Sequence, residues 1–237
     1  MLLVLMFHHI YEVDTFQSYI NYISDHYPVL TPGDTLPSDK LSICLTFDDA
    51  YFDFYHFVFP ILQKRNIRAV LGVPVKFISD KTKIDIKKRL NSFKLVKNDM
   101  YIKKESFCTW QEIKEMAQSG LVKIASHSLS HQDLTIEGTD LEDEVLGSKK
   151  IIQQRLSQEV DTFIYPYGRV NRKVHSVAKR YYKYLMRIGS ALNKDWHNSN
   201  NMIYRVNGDH LINKKSLNRV ALFKYYLKYL LNTIRGK

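Results

Sequence analysis

The stretch LSICLTFDDAY, Leu41–Tyr51, determines how the rest of the sequence is interpreted. Its first seven residues form the short apolar run that is typical of a buried parallel strand. Asp48 and Asp49 follow directly, and neighbouring side chains diverge at the end of a strand, so one carboxylate can bind a metal while the other acts as a base. Alone, such an acid pair is more typical of a solvated loop. Its interpretation therefore depends on the later motifs.

Composition favours one globular domain over residues 1–237. The chain is 45% hydrophobic and 13% aromatic, which is sufficient for one large core. Its glycines and prolines are scattered, so no linker divides it. The two cysteines, Cys44 and Cys108, provide neither a disulfide framework nor a CxxC metal site, and they are compatible with a reducing compartment.

The formal net charge of +11 favours an anionic environment, such as a phospholipid surface, a phosphate-bearing substrate or nucleic acid. No nucleic-acid-binding motif is present, so no nucleic-acid partner is expected. The opening MLLVLMF lacks the basic segment and cleavage site of a signal peptide, and it predicts a first strand that ends at His8 and His9. We expect a cytoplasmic protein without a transmembrane helix, with the inner face of the membrane as a candidate surface.

The remaining apolar periodicity alternates between strands and helices. It predicts a helix at about 15–26 before the acid pair, and after the pair strands at about 67–75, 121–125, 162–164, 184–188 and 202–206 and helices at about 51–66, 109–119, 140–156 and 174–180. A capping box of Thr109 and Glu112 marks one helix start. The basic segment 76–104 is predicted to be an insertion, either a solvated excursion or a lid. A last helix at about 218–235 is expected to pack on the barrel or to lie on an anionic bilayer.

Two later motifs favour a functional site over a solvated loop as the interpretation of Asp48 and Asp49. In SHSLSH, His127 and His131 are four residues apart just after a strand, a spacing that places both imidazoles on one side of a helical turn. With an acid from an earlier strand they predict an Asp-His-His metal site that leaves a position open for water. In TFIYPYG, Pro166 and Gly168 force a sharp turn that can direct a backbone N–H into a pocket.

Taken in order, TFDDAY, HSLSH and YPYG resemble the motifs of the NodB-type polysaccharide deacetylases, as do FHHI and TWQEIKEMAQSG. The resemblance covers residues 3–206, approximately. It implies a distorted (β/α) barrel with fewer than eight strands. It also implies one divalent metal ion, zinc first, with nickel, cobalt or manganese as alternatives. The implied activity is hydrolysis of an N-acetyl group from an amino sugar in a polysaccharide, glycolipid or lipid-linked precursor.

The resemblance also implies roles for individual residues. Asp48 would be the general base, and Asp49, His127 and His131 the metal ligands. The backbone N–H of Tyr167, after Pro166 in the sharp turn, would stabilise the oxyanion. These roles agree with the chemistry, because an acetamide needs a Lewis acid on its carbonyl and a base for the attacking water.

Two features depart from the family pattern. Many members carry an arginine that holds the base just before the Pro-Tyr turn, where this chain has Ile164, a loss that the YPYG branch shares. The late histidine that supplies the general acid has no clear counterpart. His210 is the nearest candidate and is slightly favoured, with His8 and His9 open as alternatives, while a protonated Asp48 could also return the proton.

Two other classes of function are compatible with parts of the sequence. A catalytically silent sugar-binding protein on the same fold would lose the base or a ligand, and all four of those residues are present. A basic protein that binds a membrane surface would account for the charge but not for three motifs in order. The sequence therefore favours the deacetylase.

Overall fold

Seven parallel strands close into one barrel in the computed structural model, which describes residues 1–92, 104–198, 201–213 and 217–234. The strands are β1 (Leu2–Phe7), β2 (Ser42–Phe47), β3 (Ala69–Val73), β4 (Val122–Ser126), β5 (Thr162–Ile164), β6 (Tyr184–Ile188) and β7 (Met202–Asn207). Each strand pairs with the next in the sequence, and β7 pairs with β1. The predicted barrel of fewer than eight strands is confirmed.

The strand residues divide between two hydrophobic clusters in the alternation that a barrel requires. Leu2 and Val4 of β1 and Cys44 of β2 belong to the smaller cluster, which fills the interior. Leu3 and Leu5 belong to the larger cluster, which includes the apolar faces of the helices. All six residues of β1 and of β2 are buried, as expected for parallel strands that are covered on both faces.

Seven α-helices connect the strands or flank them within the described ranges. They are α1 (Val13–His26), α2 (Phe59–Arg65), α3 (Ile86–Ser92), α4 (Trp110–Gln118), α5 (Ser148–Leu156), α6 (Arg172–Tyr181) and α7 (Arg219–Ile234). Both α2 and α5 are preceded by a π-helical turn, Phe54–Val58 and Asp143–Gly147. The predicted capping box at Thr109 and Glu112 is present at the start of α4. Among the described residues, no helix combines the length and apolarity needed to cross a membrane.

The described part of the basic insertion is anchored by a buried arginine. The guanidinium of Arg89, in α3, donates to both carboxylate oxygens of Glu112 at 2.6 and 3.0 Å and to the carbonyl of Phe107. It also lies 3.5 Å from the centre of the Phe52 ring. Arg89 therefore connects this part of the insertion to the start of α4, while most of the other side chains from 80 to 91 are exposed or half-buried. Residues 93–103 of the predicted insertion lie outside the described ranges.

Candidate active site

The acid pair lies at the carboxyl end of β2, where the backbone turns sharply. Asp49 and Ala50 both have left-handed backbone angles, with φ of 71° and 51°. The turn separates the directions of the two carboxylates, and both side chains are buried next to the same cavity. This geometry allows Asp48 and Asp49 to have different partners, as the sequence indicated.

The two histidines follow β4 in a loop, not in the helical turn that their spacing suggested. Ser128 and His131 have left-handed φ angles of 66° and 53°, which are incompatible with a continuous helix. The loop nevertheless brings the imidazoles together, with their Nε2 atoms 3.1 Å apart. The two imidazoles thus lie on one side, as predicted, but a loop and not a helical turn places them there.

Glu144, in the π-helical turn before α5, holds this histidine loop. Its buried carboxylate accepts hydrogen bonds from the backbone N–H groups of Leu129 and Ser130, at 3.0 and 2.9 Å, and from the Ser130 hydroxyl. The side-chain amide of Gln132 donates to it as well. A carboxylate satisfied by four donors fixes the loop conformation. Glu144 therefore positions His131 without touching the cavity.

We expect the substitution Glu144→Gln to weaken metal binding at the site by about 10- to 100-fold, as is usual for the partners of metal ligands. An amide cannot accept as many bonds as a carboxylate, so the loop loses order and His131 loses its orientation. Isothermal titration of the purified variant with Zn²⁺ measures the effect. The matched control is Glu142→Gln, an exposed glutamate two residues away, which should leave the affinity unchanged; equal affinities for both variants would contradict this role for Glu144.

Three donor atoms converge with the spacing that a tetrahedral metal ion requires. Asp49 Oδ1 lies 3.2 Å from His131 Nε2 and 3.7 Å from His127 Nε2, and the two Nε2 atoms are 3.1 Å apart. Two ligands of a tetrahedral zinc ion, each about 2.1 Å from it, are about 3.4 Å apart. These side chains form a group able to hold one ion. The donor set fits a divalent metal.

The protonation of the histidines suits metal binding. Burial lowers the pKa of His127 to about 4 and that of His131 to about 4, so both rings are neutral at pH 7. His127 Nδ1–H donates to the carbonyl of Ile164 at 2.9 Å, which leaves its Nε2 lone pair directed towards Asp49. This backbone contact is the usual way in which a metal-binding histidine is oriented.

Asp48 is held by an arginine that arrives from the last strand. Arg205, in β7, is 1% exposed, and its guanidinium donates to both carboxylate oxygens of Asp48 at 2.6 and 2.9 Å. A further donor bond reaches the hydroxyl of Thr46. Burial alone would raise the Asp48 pKa, but the arginine and His127 outweigh it and hold the pKa well below its usual range. Asp48 is therefore ionised and oriented.

The family resemblance implies an arginine where this chain has Ile164, and here Arg205 supplies a guanidinium to Asp48 instead. The guanidinium is supplied from β7, which is two strands away from β5 in the barrel. Sequence reasoning missed Arg205. A signal was available, because an arginine in the middle of the apolar strand Met202–Asn207 requires a buried partner.

His8 faces the cavity and is paired with Asp209, which sequence reasoning also missed. The carboxylate accepts from His8 Nδ1–H at 2.9 Å and from the His8 backbone N–H at 3.3 Å. Burial lowers the His8 pKa, but the Asp209 hydrogen bond and the charges of Asp48 and Asp49 outweigh it and raise the pKa to about 9. Because Asp209 occupies Nδ1, the nitrogen available to a substrate is Nε2.

His9 lies beside His8 but is engaged in the wall of the cavity. Its Nδ1 is 3.2 Å from a carboxylate oxygen of Asp53, which also accepts from the backbone N–H of Ile10. The imidazole stacks on the ring of Tyr51 with a centroid separation of 3.8 Å. These contacts fix the chain after β1 and thereby position His8.

His210, the favoured candidate for the general acid, is not brought into the site. It is exposed and does not line the cavity. The reason is its position in the turn after β7, where Asp209 points back to His8 and the next side chain points to solvent. Contrary to the expectation from the sequence, the structure therefore places His8 at the cavity and His210 outside it.

Tyr167 and Gly168 of the YPYG turn form part of the cavity wall beside His131. Tyr167 has a left-handed φ of 56°, and its half-exposed ring packs edge-on against the imidazole of His131 at 4.8 Å. Pro166 is buried and does not line the cavity. The cavity has a volume of about 390 Å³ and is lined by His8, His9, Asp48, Asp49, Tyr51, His127, His131, Tyr167, Gly168 and Ile188.

Comparisons with known proteins match the middle of the chain to one family. The sequence model of the family described as polysaccharide deacetylase matches residues 36–184. A putative polysaccharide deacetylase of Bacillus subtilis, YxkH, is 27% identical over 175 residues, which are 70% of this chain and 53% of that protein. The chain thus spans about half the length of this curated relative.

A second curated relative and a solved structure also match this chain. The poly-β-1,6-N-acetyl-D-glucosamine N-deacetylase of Escherichia coli K12 is 34% identical over 104 residues, 44% of this chain and 14% of that protein. The solved structure of IcaB from Ammonifex degensii aligns with a TM-score of 0.71 at 19% identity, covering 90% of this chain and 95% of that one. At this level of identity the structural match shows a shared fold. His8, Arg205 and Asp209 lie outside the residues that the family model matches.

Proposed function

The chain belongs to the polysaccharide deacetylase family, and on that premise we propose that it is a metal-dependent hydrolase that removes the N-acetyl group from an amino sugar of a polysaccharide. The observation that carries the proposal is the convergence of Asp49, His127 and His131 beside an ionised Asp48 in one cavity. A metal-ligand triad next to an oriented carboxylate provides a Lewis acid and a base for the hydrolysis of an unreactive amide.

Asp49, His127 and His131 would hold the ion, which we propose to be Zn²⁺, with Ni²⁺, Co²⁺ or Mn²⁺ as alternatives. When bound there, a divalent ion polarises the acetamide carbonyl and makes a neighbouring water more acidic. Three protein ligands leave one coordination position of a tetrahedral ion open, which is typical of catalytic sites and not of structural ones.

Asp48 acts as the general base in this proposal. Its carboxylate lines the cavity beside the metal ligands, with one oxygen 3.9 Å from His127 Nε2. Held on both oxygens by Arg205, it cannot rotate away, so it meets the attacking water in a fixed orientation. The same ion pair lowers its basicity, and orientation must compensate for that loss.

Tyr167 is proposed to stabilise the oxyanion through its backbone N–H. The left-handed turn places this residue on the wall of the cavity, with its ring against the imidazole of His131. Hydrogen bonds from rigid backbone groups to a developing negative charge are among the largest contributions to amide and ester hydrolysis.

His8 is proposed as the general acid that protonates the leaving nitrogen. An amine leaves the tetrahedral intermediate only after its nitrogen is protonated, and a charged imidazole can supply that proton from Nε2. The bond from Nδ1–H to Asp209 fixes both the orientation of the ring and its raised pKa. His9 is engaged with Asp53 and Tyr51, which suits a structural and substrate-contacting role.

The substrate class follows from the relatives and is a proposal for this chain. The Escherichia coli protein is named for deacetylating a polymer of N-acetylglucosamine. A catalytically silent sugar-binding member of the fold is disfavoured, because the base, its arginine and all three metal donors are in place.

We expect purified protein loaded with Zn²⁺ to release acetate from at least one member of a panel of N-acetylated oligosaccharides, lipid-linked sugars and monosaccharides. Removal of the ion by a chelator should lower the rate by at least about 100-fold, and re-addition of Zn²⁺, Co²⁺ or Ni²⁺ should restore it, because the ion supplies the Lewis acid. An enzymatic acetate assay measures both quantities.

The matched control is His127→Ala, which removes one ligand and should abolish stoichiometric metal binding in a metal-content measurement. Release of acetate by the chelated protein at the full rate would contradict metal dependence. A metal-loaded, folded protein that releases no acetate from any member of the panel would favour the silent sugar-binding alternative.

A further inference from the structure

The helix α7 is apolar on two opposite faces. Leu222, Tyr225 and Tyr229 pack against the main hydrophobic cluster, and the carbonyl of Tyr225 accepts from the backbone N–H of Leu192. The other side carries a row of large apolar side chains that are exposed, namely Val220, Phe223, Leu227, Leu230 and Ile234, flanked by Tyr226 and Leu231. None of the residues of α7 is fully buried.

The outer row has a regular spacing. Its members follow one another at intervals of three, four, three and four residues, which aligns them along one side of a helix. Their exposed fractions range from 38% for Leu230 to 82% for Ile234. Single exposed apolar residues are common on protein surfaces, whereas a continuous row of this length marks a surface that another structure covers.

The charges around this row indicate what covers it. Lys224 and Lys228 are exposed along one edge of the row, and α7 contains no acidic residue. After Asp209 the sequence contains seven lysines and arginines and no aspartate or glutamate. A surface that complements this face of α7 is therefore apolar, with negative charge at its boundary to pair with the lysines.

We propose that the outer face of α7 lies on the surface of an anionic lipid bilayer, with its apolar row among the acyl chains and its lysines at the headgroups. An amphipathic helix with basic residues at the edge of its apolar face binds such surfaces. As described, Arg219–Ile234 is not a helix long and apolar enough to cross the bilayer. A second copy of the chain is the less favourable occupant, because it would bring the lysines of two helices together without an acidic residue in either helix to pair them.

Sedimentation with vesicles tests the proposal on the full chain. We expect binding to vesicles that contain phosphatidylglycerol at low salt, and at least tenfold weaker binding to pure phosphatidylcholine vesicles. The double substitution Phe223→Asp and Leu230→Asp should lower binding to the anionic vesicles at least tenfold, because it places charge in the apolar row. The double substitution Lys224→Glu and Lys228→Glu should lower it as well and should reduce its dependence on salt.

The matched control is Ile136→Asp, which introduces an acid at an isoleucine that is 60% exposed outside α7 and should bind like the wild type. Thermal melting of each variant establishes that it is folded. No binding of the wild type to anionic vesicles would overturn the proposal. So would light scattering that shows a stable dimer dissociated by Phe223→Asp and Leu230→Asp, without any vesicle binding, because the second copy would then be the occupant.

Discussion

Replacing Asp48 by asparagine is expected to lower the turnover number by about 100- to 10,000-fold, the range of an oriented general base, while metal affinity stays close to that of the wild type. Asparagine keeps the size of the side chain but cannot accept a proton from water. Steady-state acetate release and titration with Zn²⁺ measure the two quantities on the same preparation. Asp49→Asn is the matched comparison one residue away, and it should weaken both metal binding and turnover.

The ion pair with Arg205 requires a second control. Neutralising Asp48 leaves a guanidinium buried without its counter-charge, which can destabilise a protein by about 3–5 kcal/mol. The double variant Asp48→Asn with Arg205→Met removes both charges and should recover stability in thermal melting, but not turnover. If the double variant regained activity, the loss in the single variant would reflect folding. If Asp48→Asn lost the metal and Asp49→Asn kept it, the two roles would be reversed.

The second large effect is expected at His8. His8→Gln should lower the turnover number by about 100- to 10,000-fold, because glutamine occupies similar space but cannot transfer a proton to the leaving nitrogen. His210→Ala should retain wild-type turnover, since that side chain is exposed outside the cavity. The reverse result, with an active His8→Gln and an inactive His210→Ala, would restore the assignment that the sequence favoured.

The pH dependence gives an independent check of the same residue. A general acid must be protonated, so activity falls as the pH rises through its pKa, which Asp209 and the acid pair raise to about 9. A bound divalent cation opposes the imidazolium charge and moves this alkaline limb to lower pH. Asp209→Asn removes the charge that raises the pKa and should move the limb of kcat/KM further down. An unchanged limb would show that another group is the acid.

Much of this fold was predictable because its signals are local. The apolar runs of β1 and β2 predict buried strands, and the capping box at Thr109 predicts the start of α4 within one residue. Parallel strands place their carboxyl ends on one side of a barrel, which is why Asp49 and His127 meet there. The family resemblance supplied the roles that spacing alone leaves open.

The residues that were missed depend on contacts between distant segments. Arg205 reaches Asp48 because β1 pairs with both β2 and β7, and this register sets the two side chains next to each other. Periodicity identifies β7 as a strand but not its neighbours. Asp209 and His210 are adjacent in the sequence, and only the direction of the turn decides which of them meets His8. Glu144 lies within the predicted amphipathic helix 140–156, and its periodicity does not reveal that this glutamate is buried against the histidine loop.

The pairing of Asp48 with Arg205 also has a consequence for how the protein folds. The two residues are separated by 157 positions, and the contact forms only when the last strand closes the barrel against the first. Contacts between distant parts of a chain are slow to form, since a long loop must first be ordered. Most of the helices and strands can therefore form before Arg205 orients the carboxylate of Asp48. During synthesis, Asp48 is oriented only after β7 has left the ribosome, and a chain halted before β7 retains the metal-binding motifs but lacks that guanidinium.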